Sequence, residues 1–428
     1  MEKNGSHSKA ACLGERLSTA ARQPQPHQPL AAANVVGRTP AVKEPLLEGG
    51  RLFWLEQRPH EKGRTTLLVK PALAPSCDPN PQTLELTPGD WNLRSRVHEY
   101  GGGVFAVAGG DLVLVHDGDR CLYHLPIDPS GAPGAPPRRL VEPGDRAFAD
   151  GLIDPGRQRW VGVMEAHGRD HLVALPLAGG EPIALHEPED FCGYASLSPD
   201  GHWLAWVEWQ QPCMPWDRSQ LWLAEIQADG SLSGGRAVAG STPADAQGCS
   251  VFQPIWAGAD LIVSNDRSGF WNLERWADAD AGTTATTPQW HPLLPMQTEF
   301  AMPQWVFGMS THAWDGEQLV AFCCREGSWE LGSLALPEQP GASATWQAIT
   351  TPFTDLADLC AEAGTLACVA SSATDPSGLL ELDVSSGQWR HQPAAPCPVA
   401  AEAISRGEPL WFSGYGGQRT QAWYYPPA

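Results

Sequence analysis

Arg267-Ser268-Gly269-Phe270-Trp271-Asn272-Leu273 and Arg325-Glu326-Gly327-Ser328-Trp329-Glu330-Leu331 share the pattern Arg-x-Gly-x-Trp-x-Leu. Each is preceded by a run that reads as a strand, and before that by Gln253-Pro254-Ile255-Trp256 in one case and Met302-Pro303-Gln304-Trp305 in the other. One hairpin-bearing unit is therefore written twice. Looser copies fall near residues 42–70, 98–126, 148–177, 193–227, 355–384 and 400–426, which makes eight strand-rich units at a spacing of roughly fifty residues. A strand-built period of that length points to a β-propeller, because a single blade cannot bury both its faces and must stack against its neighbours around an axis. Seven blades are expected, with eight as the alternative count. Two terminal runs of strand sharing one blade would reconcile eight units with seven.

Elsewhere in the chain, short apolar runs such as Leu52-Phe53-Trp54-Leu55, Leu112-Val113-Leu114-Val115, Leu204-Ala205-Trp206-Val207 and Leu261-Ile262-Val263 are separated by turn clusters, Ser198-Pro199-Asp200-Gly201 among them. These read as strands. Gly and Pro supply about one residue in five, against about one in eight in ordinary globular chains, which suits many short strands and argues against long helices. Many of the 19 tryptophans are expected in the layers between blades. Residues 1–33, with Gln23-Pro24-Gln25-Pro26, are polar and aperiodic and read as a disordered leader. The propeller is expected over 34–418, with 419–428 beginning something else.

The net charge of -21 disfavours nucleic acid and anionic membranes as partners. Lysine stops at position 70, so no later residue can form a Schiff base or a phosphate-loop ammonium. Eleven cysteines without a Cys-x-x-Cys pair suggest reduced thiols in a cytoplasmic protein rather than a disulfide framework or a zinc site. No secretory segment or membrane span is legible. A hydrolase nucleophile needs Gly-x-Ser-x-Gly, and the nearest strings, Gly248-Cys249-Ser250 and Gly308-Met309-Ser310, lack the closing glycine. Both serines read as loop residues. His60-Glu61, His98-Glu99 and His186-Glu187 never extend to His-Glu-x-x-His, so neither a metal nor another cofactor is expected.

Five stretches in order carry a family resemblance: Val97-His98-Glu99-Tyr100-Gly101-Gly102-Gly103, Ser198 to Trp209, Met214-Pro215-Trp216-Asp217, Asn265 to Leu273, and Phe300-Ala301-Met302-Pro303-Gln304-Trp305. Together they resemble the propeller half of the prolyl oligopeptidase family of serine peptidases, in its bacterial dipeptidyl-aminopeptidase or acylaminoacyl-peptidase-like branch. The resemblance covers about residues 34–428. It implies a module that admits short peptides to an α/β-hydrolase domain holding the catalytic Ser, Asp and His. No position here matches those three residues, so this chain alone is expected to be inactive. The tail Gln418 to Pro427 resembles the junction at which such chains enter the hydrolase domain. Alternatives are a stand-alone propeller that binds a protein or small ligand and, less favoured, an enzyme with carboxylates in the propeller channel.

Candidate binding residues are Arg96, His98 and Glu99, which could meet a peptide terminus or side chain at the propeller mouth. The structural alternative is an Arg96–Glu99 ion pair, with the glycines permitting a bulge or close blade packing. Trp216 and Asp217 either reach the substrate from a loop or belong to a hairpin held by the tryptophan and an Asp217–Arg218 pair. In both segments the structural reading leads.

Overall fold

The computed structural model describes residues 31–32, 36, 39–73, 81–281 and 288–427. The leader expected over 1–33 therefore lies outside the described residues, save for 31 and 32. Seven antiparallel four-stranded sheets follow one another along the chain. Blade 1 holds β1 (Ala41–Glu48), β2 (Arg51–Arg58), β3 (Arg64–Pro71) and β4 (Leu84–Glu85), and blade 2 holds β5 (Phe105–Ala108), β6 (Asp111–Val115), β7 (Leu122–Pro126) and β8 (Arg138–Arg139). Blade 3 comprises β9 (Arg146–Asp154), β10 (Arg159–Ala166), β11 (Arg169–Pro176) and β12 (Ile183–His186). Blade 4 comprises β13 (Phe191–Leu197), β14 (Trp203–Trp209), β15 (Gln220–Ile226) and β16 (Leu232–Gly240). Blade 5 has β17 (Val251–Ala257), β18 (Asp260–Asn265), β19 (Asn272–Trp276) and β20 (His291–Pro292), and blade 6 has β21 (His312–Trp314), β22 (Leu319–Arg325), β23 (Ser328–Leu334) and β24 (Gln347–Ile349). Blade 7 is β25 (Asp355–Glu362), β26 (Thr365–Ser371), β27 (Gly378–Asp383) and β28 (Trp389–Pro393).

The second strand of each blade is the most apolar because it lies between two neighbouring blades. Along β2, Phe53 and Leu55 join a core layer with blade 2 residues, while Leu52 and Trp54 join one with Ala367 and Leu379 of blade 7. Further layers link blades 3 and 4, 4 and 5, 5 and 6, and 6 and 7. Each fully buried Leu or Phe contributes about 1.5–3 kcal/mol, so the ring is held by repeated side-to-side burial.

The first strands face the axis, and five of them bulge at the same place. Pairing with the second strand slips by a residue at Glu44, Asp150, Tyr194, Gln253 and Asp358, and these residues have φ of 48°, 51°, 56°, 49° and 55°. Gly103 and Gly308, at 57° and 81°, take the same conformation at the entries to β5 and β21. A non-glycine residue held there costs about 1 kcal/mol or more. Bonds between blades offset that cost. The Glu44 N–H donates to Asp358 Oδ2 at 3.1 Å, the Gly103 N–H to Glu44 Oε1 at 3.3 Å, the Asp150 N–H to the Gly103 carbonyl at 2.8 Å, and the Tyr194 N–H to Asp150 Oδ2. Across the next pairs of blades the Thr311 N–H donates to Gln253 Oε1 at 2.8 Å and the Ser310 hydroxyl to the Leu359 carbonyl at 2.8 Å.

Ring closure departs from the expectation of a blade shared by the two chain ends. Every blade is made of consecutive strands, and blade 1 meets blade 7 flush through β1 against β25 and β26. The seam carries a polar clasp. Lys70 Nζ lies 2.8 Å from Glu381 Oε2 with both side chains buried, Glu381 also accepts the Leu73 N–H at 2.9 Å and pairs with Arg390 at 2.7 Å, and Glu362 accepts the Gly49 and Gly50 N–H groups at 2.8 and 2.9 Å.

The eighth unit is a separate hairpin, β29 (Glu408–Ser413) with β30 (Arg419–Tyr424). It leans on the turn between β22 and β23, where Gln421 Nε2 donates to the Glu326 carbonyl at 2.7 Å. A division between residues 418 and 419 falls inside this hairpin. The two Arg-x-Gly-x-Trp-x-Leu segments do occupy equivalent connections, second strand to third, yet they close differently. Arg325 pairs with Ser328 across a two-residue turn with positive φ at Glu326 and Gly327, whereas the β18–β19 pairing ends at Asn265 and Asn272 and leaves a wider loop.

Candidate functional site: an aromatic pocket on one face of the ring

Gly101, Gly102 and Gly103 fix the site, and each position requires glycine. A β-carbon would lie 2.7 Å from the Ser95 carbonyl oxygen at Gly101, 2.1 Å from the Phe307 carbonyl oxygen at Gly102 and 2.7 Å from the Asp150 backbone at Gly103, and all three have positive φ. At Gly102 the reason is a strap. Residues 302–310, leading into blade 6, cross to the entry of blade 2, where Gly102 and Phe307 form a parallel bridge and the Phe307 N–H donates to the Gly101 carbonyl at 3.1 Å. The Phe307 ring also presses on Gly193 of blade 4, and Gly308 on Glu44 of blade 1. In a ring of seven, blade 6 adjoins only blades 5 and 7, so these contacts lie across the axis.

Above the strap is a cavity of about 470 Å³. Its walls come from the entry to β5 (Val97, His98, Tyr100, Gly101), from Phe191 and Tyr194 of β13, from Trp209 and the β14–β15 connection through Trp216, and from Gln304 to Phe307. Phe191 stacks on Trp209 with centroids 5.6 Å apart, and Trp216 meets Trp305 at 4.5 Å. The Tyr194 hydroxyl donates to the Val306 carbonyl at 2.9 Å. Strands alternate in direction, so the entry to each first strand and each second-to-third connection share one end of the ring. The pocket therefore opens on the face where β29–β30 leans on the β22–β23 turn.

Two of the five expected residues, His98 and Trp216, line this pocket. Three do not. Arg96 pairs with Asp117 at 2.7 Å rather than with Glu99, which is exposed and makes no ion pair among the described residues. Asp217 accepts the Met214 N–H at 3.0 Å, and Arg218 binds the carbonyls of Thr242, Pro243 and Asp245, so the Asp217–Arg218 pair is not formed. Tyr100, Phe191, Tyr194, Trp209, Trp305 and Phe307 were missed as wall residues. Tyr100, Trp209 and Trp305 stand within the family-like stretches, but nothing in one sequence shows that distant loops converge.

His98 is held firmly. Its N–H donates to Glu165 at 2.7 Å, its Nε2 meets both Asp170 oxygens at 2.9 Å, and Asp170 also accepts the Cys192 N–H at 3.1 Å. His98, Glu165 and Asp170 could each offer a ligand atom within 4.8 Å of the others, but these bonds already orient the ring, edge-on to Phe191 and Trp209. Beneath the strap, a 220 Å³ cavity reaches Glu44, Asp150 and Ser310. Burial, reinforced by Asp358, pushes the Glu44 carboxyl up to about 8, and burial alone raises Asp150 to about 6. The loop serines are structural: Ser250 donates to the Pro215 carbonyl at 2.5 Å and Ser310 to that of Leu359.

No protein-family model and no curated protein matches the chain. Solved structures do. A puromycin hydrolase aligns with 28% identity and a TM-score of 0.79 over 94% of this chain and 61% of that one. A puromycin-hydrolyzing peptidase of Mycobacterium tuberculosis aligns with 26% identity and a TM-score of 0.78 over 93% and 60%. Prolyl oligopeptidase B from Galerina marginata shares the fold, at 13% identity and a TM-score of 0.61. The chain is similar to the propeller portion of the two puromycin hydrolases, and it shares that fold with the prolyl oligopeptidase. This propeller spans about 60% of the length of the two hydrolases it matches.

Proposed function

We propose that the chain is the substrate-gating propeller of a prolyl-oligopeptidase-like serine peptidase that acts on short peptides. The aromatic pocket carries this reading, because it opens on the same face as the hairpin β29–β30. That hairpin leaves Leu410, Phe412, Trp423 and Tyr424 between 40% and 52% exposed, an apolar surface of the kind a further domain covers. In this reading an α/β-hydrolase domain rests on the hairpin and supplies the catalytic Ser, Asp and His, while the propeller holds part of the peptide. Likeness to the puromycin hydrolases supports the bacterial dipeptidyl-aminopeptidase or acylaminoacyl-peptidase-like branch. Free thiols at the nine described cysteines support a cytoplasmic setting.

The test is the reading frame downstream of the Ala428 codon. It is expected to encode Gly-x-Ser-x-Gly followed by Asp and His, and the purified 428-residue chain is expected to leave aminoacyl 4-nitroanilides intact. A stop codon with no such sequence, or turnover by the purified chain, would overturn the proposal.

A further inference from the structure

We infer that the pocket selects an aromatic side chain of the bound peptide, an assignment that deepens the gating proposal and rests on it. Of the residues lining the cavity, none is Asp, Glu, Lys or Arg, so nothing there would neutralise a charged side chain taken out of water. His98, whose Nε2 is committed to Asp170, is the only titratable imidazole. The rest of the wall is mostly aromatic rings and aliphatic side chains, Met214 among them, with the amides of Gln211 and Gln304 as neutral polar groups, a surface that favours aryl groups through offset and edge contacts.

Exposure supports an occupant. Trp305 is 59% exposed and Tyr100 68%, although Trp54, Trp160 and Trp206 show that the blades readily bury such rings. The open Trp305 is pre-positioned against Trp216, and the less exposed Tyr194 of the same wall is tied by its hydroxyl to the strap. A wall already ordered loses little freedom when a ligand ring enters. The cavity of about 470 Å³ falls in the range of roughly 300–1,000 Å³ typical of small-ligand sites. That admits one large side chain with its flanking backbone and no folded chain. The net charge of -21 adds a general bias against acidic peptides.

The test is calorimetric titration of the 428-residue chain with four capped tripeptides, N-acetyl-Ala-X-Ala-amide, where X is Phe, Ala, Lys or Glu. The Phe peptide is expected to bind about five-fold or more tightly than the Ala peptide, with Lys and Glu no better than Ala. Trp305→Ala and Tyr100→Ala are each expected to abolish the Phe preference while the melting temperature stays that of the parent, and Trp389→Ala, on blade 7, is expected to keep it. Equal binding of Phe and Ala, tighter binding of Lys, no binding at all, or a preference that survives both pocket substitutions would overturn the assignment. The gating proposal is decided separately by the downstream reading frame, so the two can fail independently.

Discussion

At the scale of single residues, Glu44 shows how a propeller axis stores acidity. Its carboxyl sits beside Asp358 in the ring of bulges and is raised to about 8 by burial and that neighbour. A carboxyl whose folded pKa exceeds its unfolded value of 4.5 binds its proton more tightly in the native state, so its contribution to stability is complete below about pH 4.5 and is lost as pH rises toward 8. Glu44→Gln keeps an acceptor for the Gly103 N–H and removes the titration. The melting temperature of the parent is therefore expected to fall more between pH 5.5 and pH 8.5 than that of the variant, and equal falls would refute the assignment. The pocket's lining is only partly legible in the sequence. His98 and Trp216, which line it, lie in motifs of unusual composition, whereas Arg96 and Glu99 are neighbours along the chain that the fold leaves unpaired with each other. Asp117, the true partner of Arg96, comes from the following hairpin, and no local rule points to it.

Elements were legible in proportion to how uniformly they are buried. The runs at Leu52, Leu112, Leu204 and Leu261 are all second strands, covered on both faces by adjacent blades, and read as unbroken apolar stretches. First strands carry bulges with Glu, Asp, Tyr or Gln in the left-handed region, which interrupts any period of two. The outer strands β4, β8 and β20 are two residues long and leave no pattern. The seam between blades 1 and 7 is a pairing of elements that sequence could not supply, since Lys70 and Glu381 are 311 positions apart. Replacing Glu381 with Gln leaves the buried Lys70 ammonium without its counter-charge. The expected loss is about 3–5 kcal/mol in urea unfolding followed by tryptophan fluorescence, a suitable probe because Lys70 lies 5.5 Å from the Trp54 ring. A change under about 1 kcal/mol would show that the clasp is dispensable.

For the whole molecule, repetition made the architecture readable. The number of repeating units points to seven blades, but it does not fix the mode of closure, because a leftover hairpin and a shared blade give the same number of units. The leftover hairpin has its own consequence. With Leu410 and Phe412 on one side of β29, about half exposed, the 428-residue chain is expected to self-associate reversibly at high concentration. Leu410→Lys combined with Phe412→Lys should render it monomeric by sedimentation velocity, with stability changed by no more than about 0.5 kcal/mol per site, as for other surface positions. Persistent association of the double variant would place the sticky surface elsewhere.

The strap at Phe307 also couples units that are not neighbours in the ring. A ring built blade by blade from the amino terminus could in principle add each unit onto the last, with only nearest-neighbour contacts to satisfy. Phe307, however, completes its contacts only against Gly102 and Gly193, and Gly308 against Glu44, so the packing of the sixth unit is complete only where the first four curve far enough to face it. It works as a chord drawn across an arc that is still open. Such a chord constrains the curvature of the first six units independently of the seventh, so the Lys70 clasp joins two edges whose separation the chord also holds.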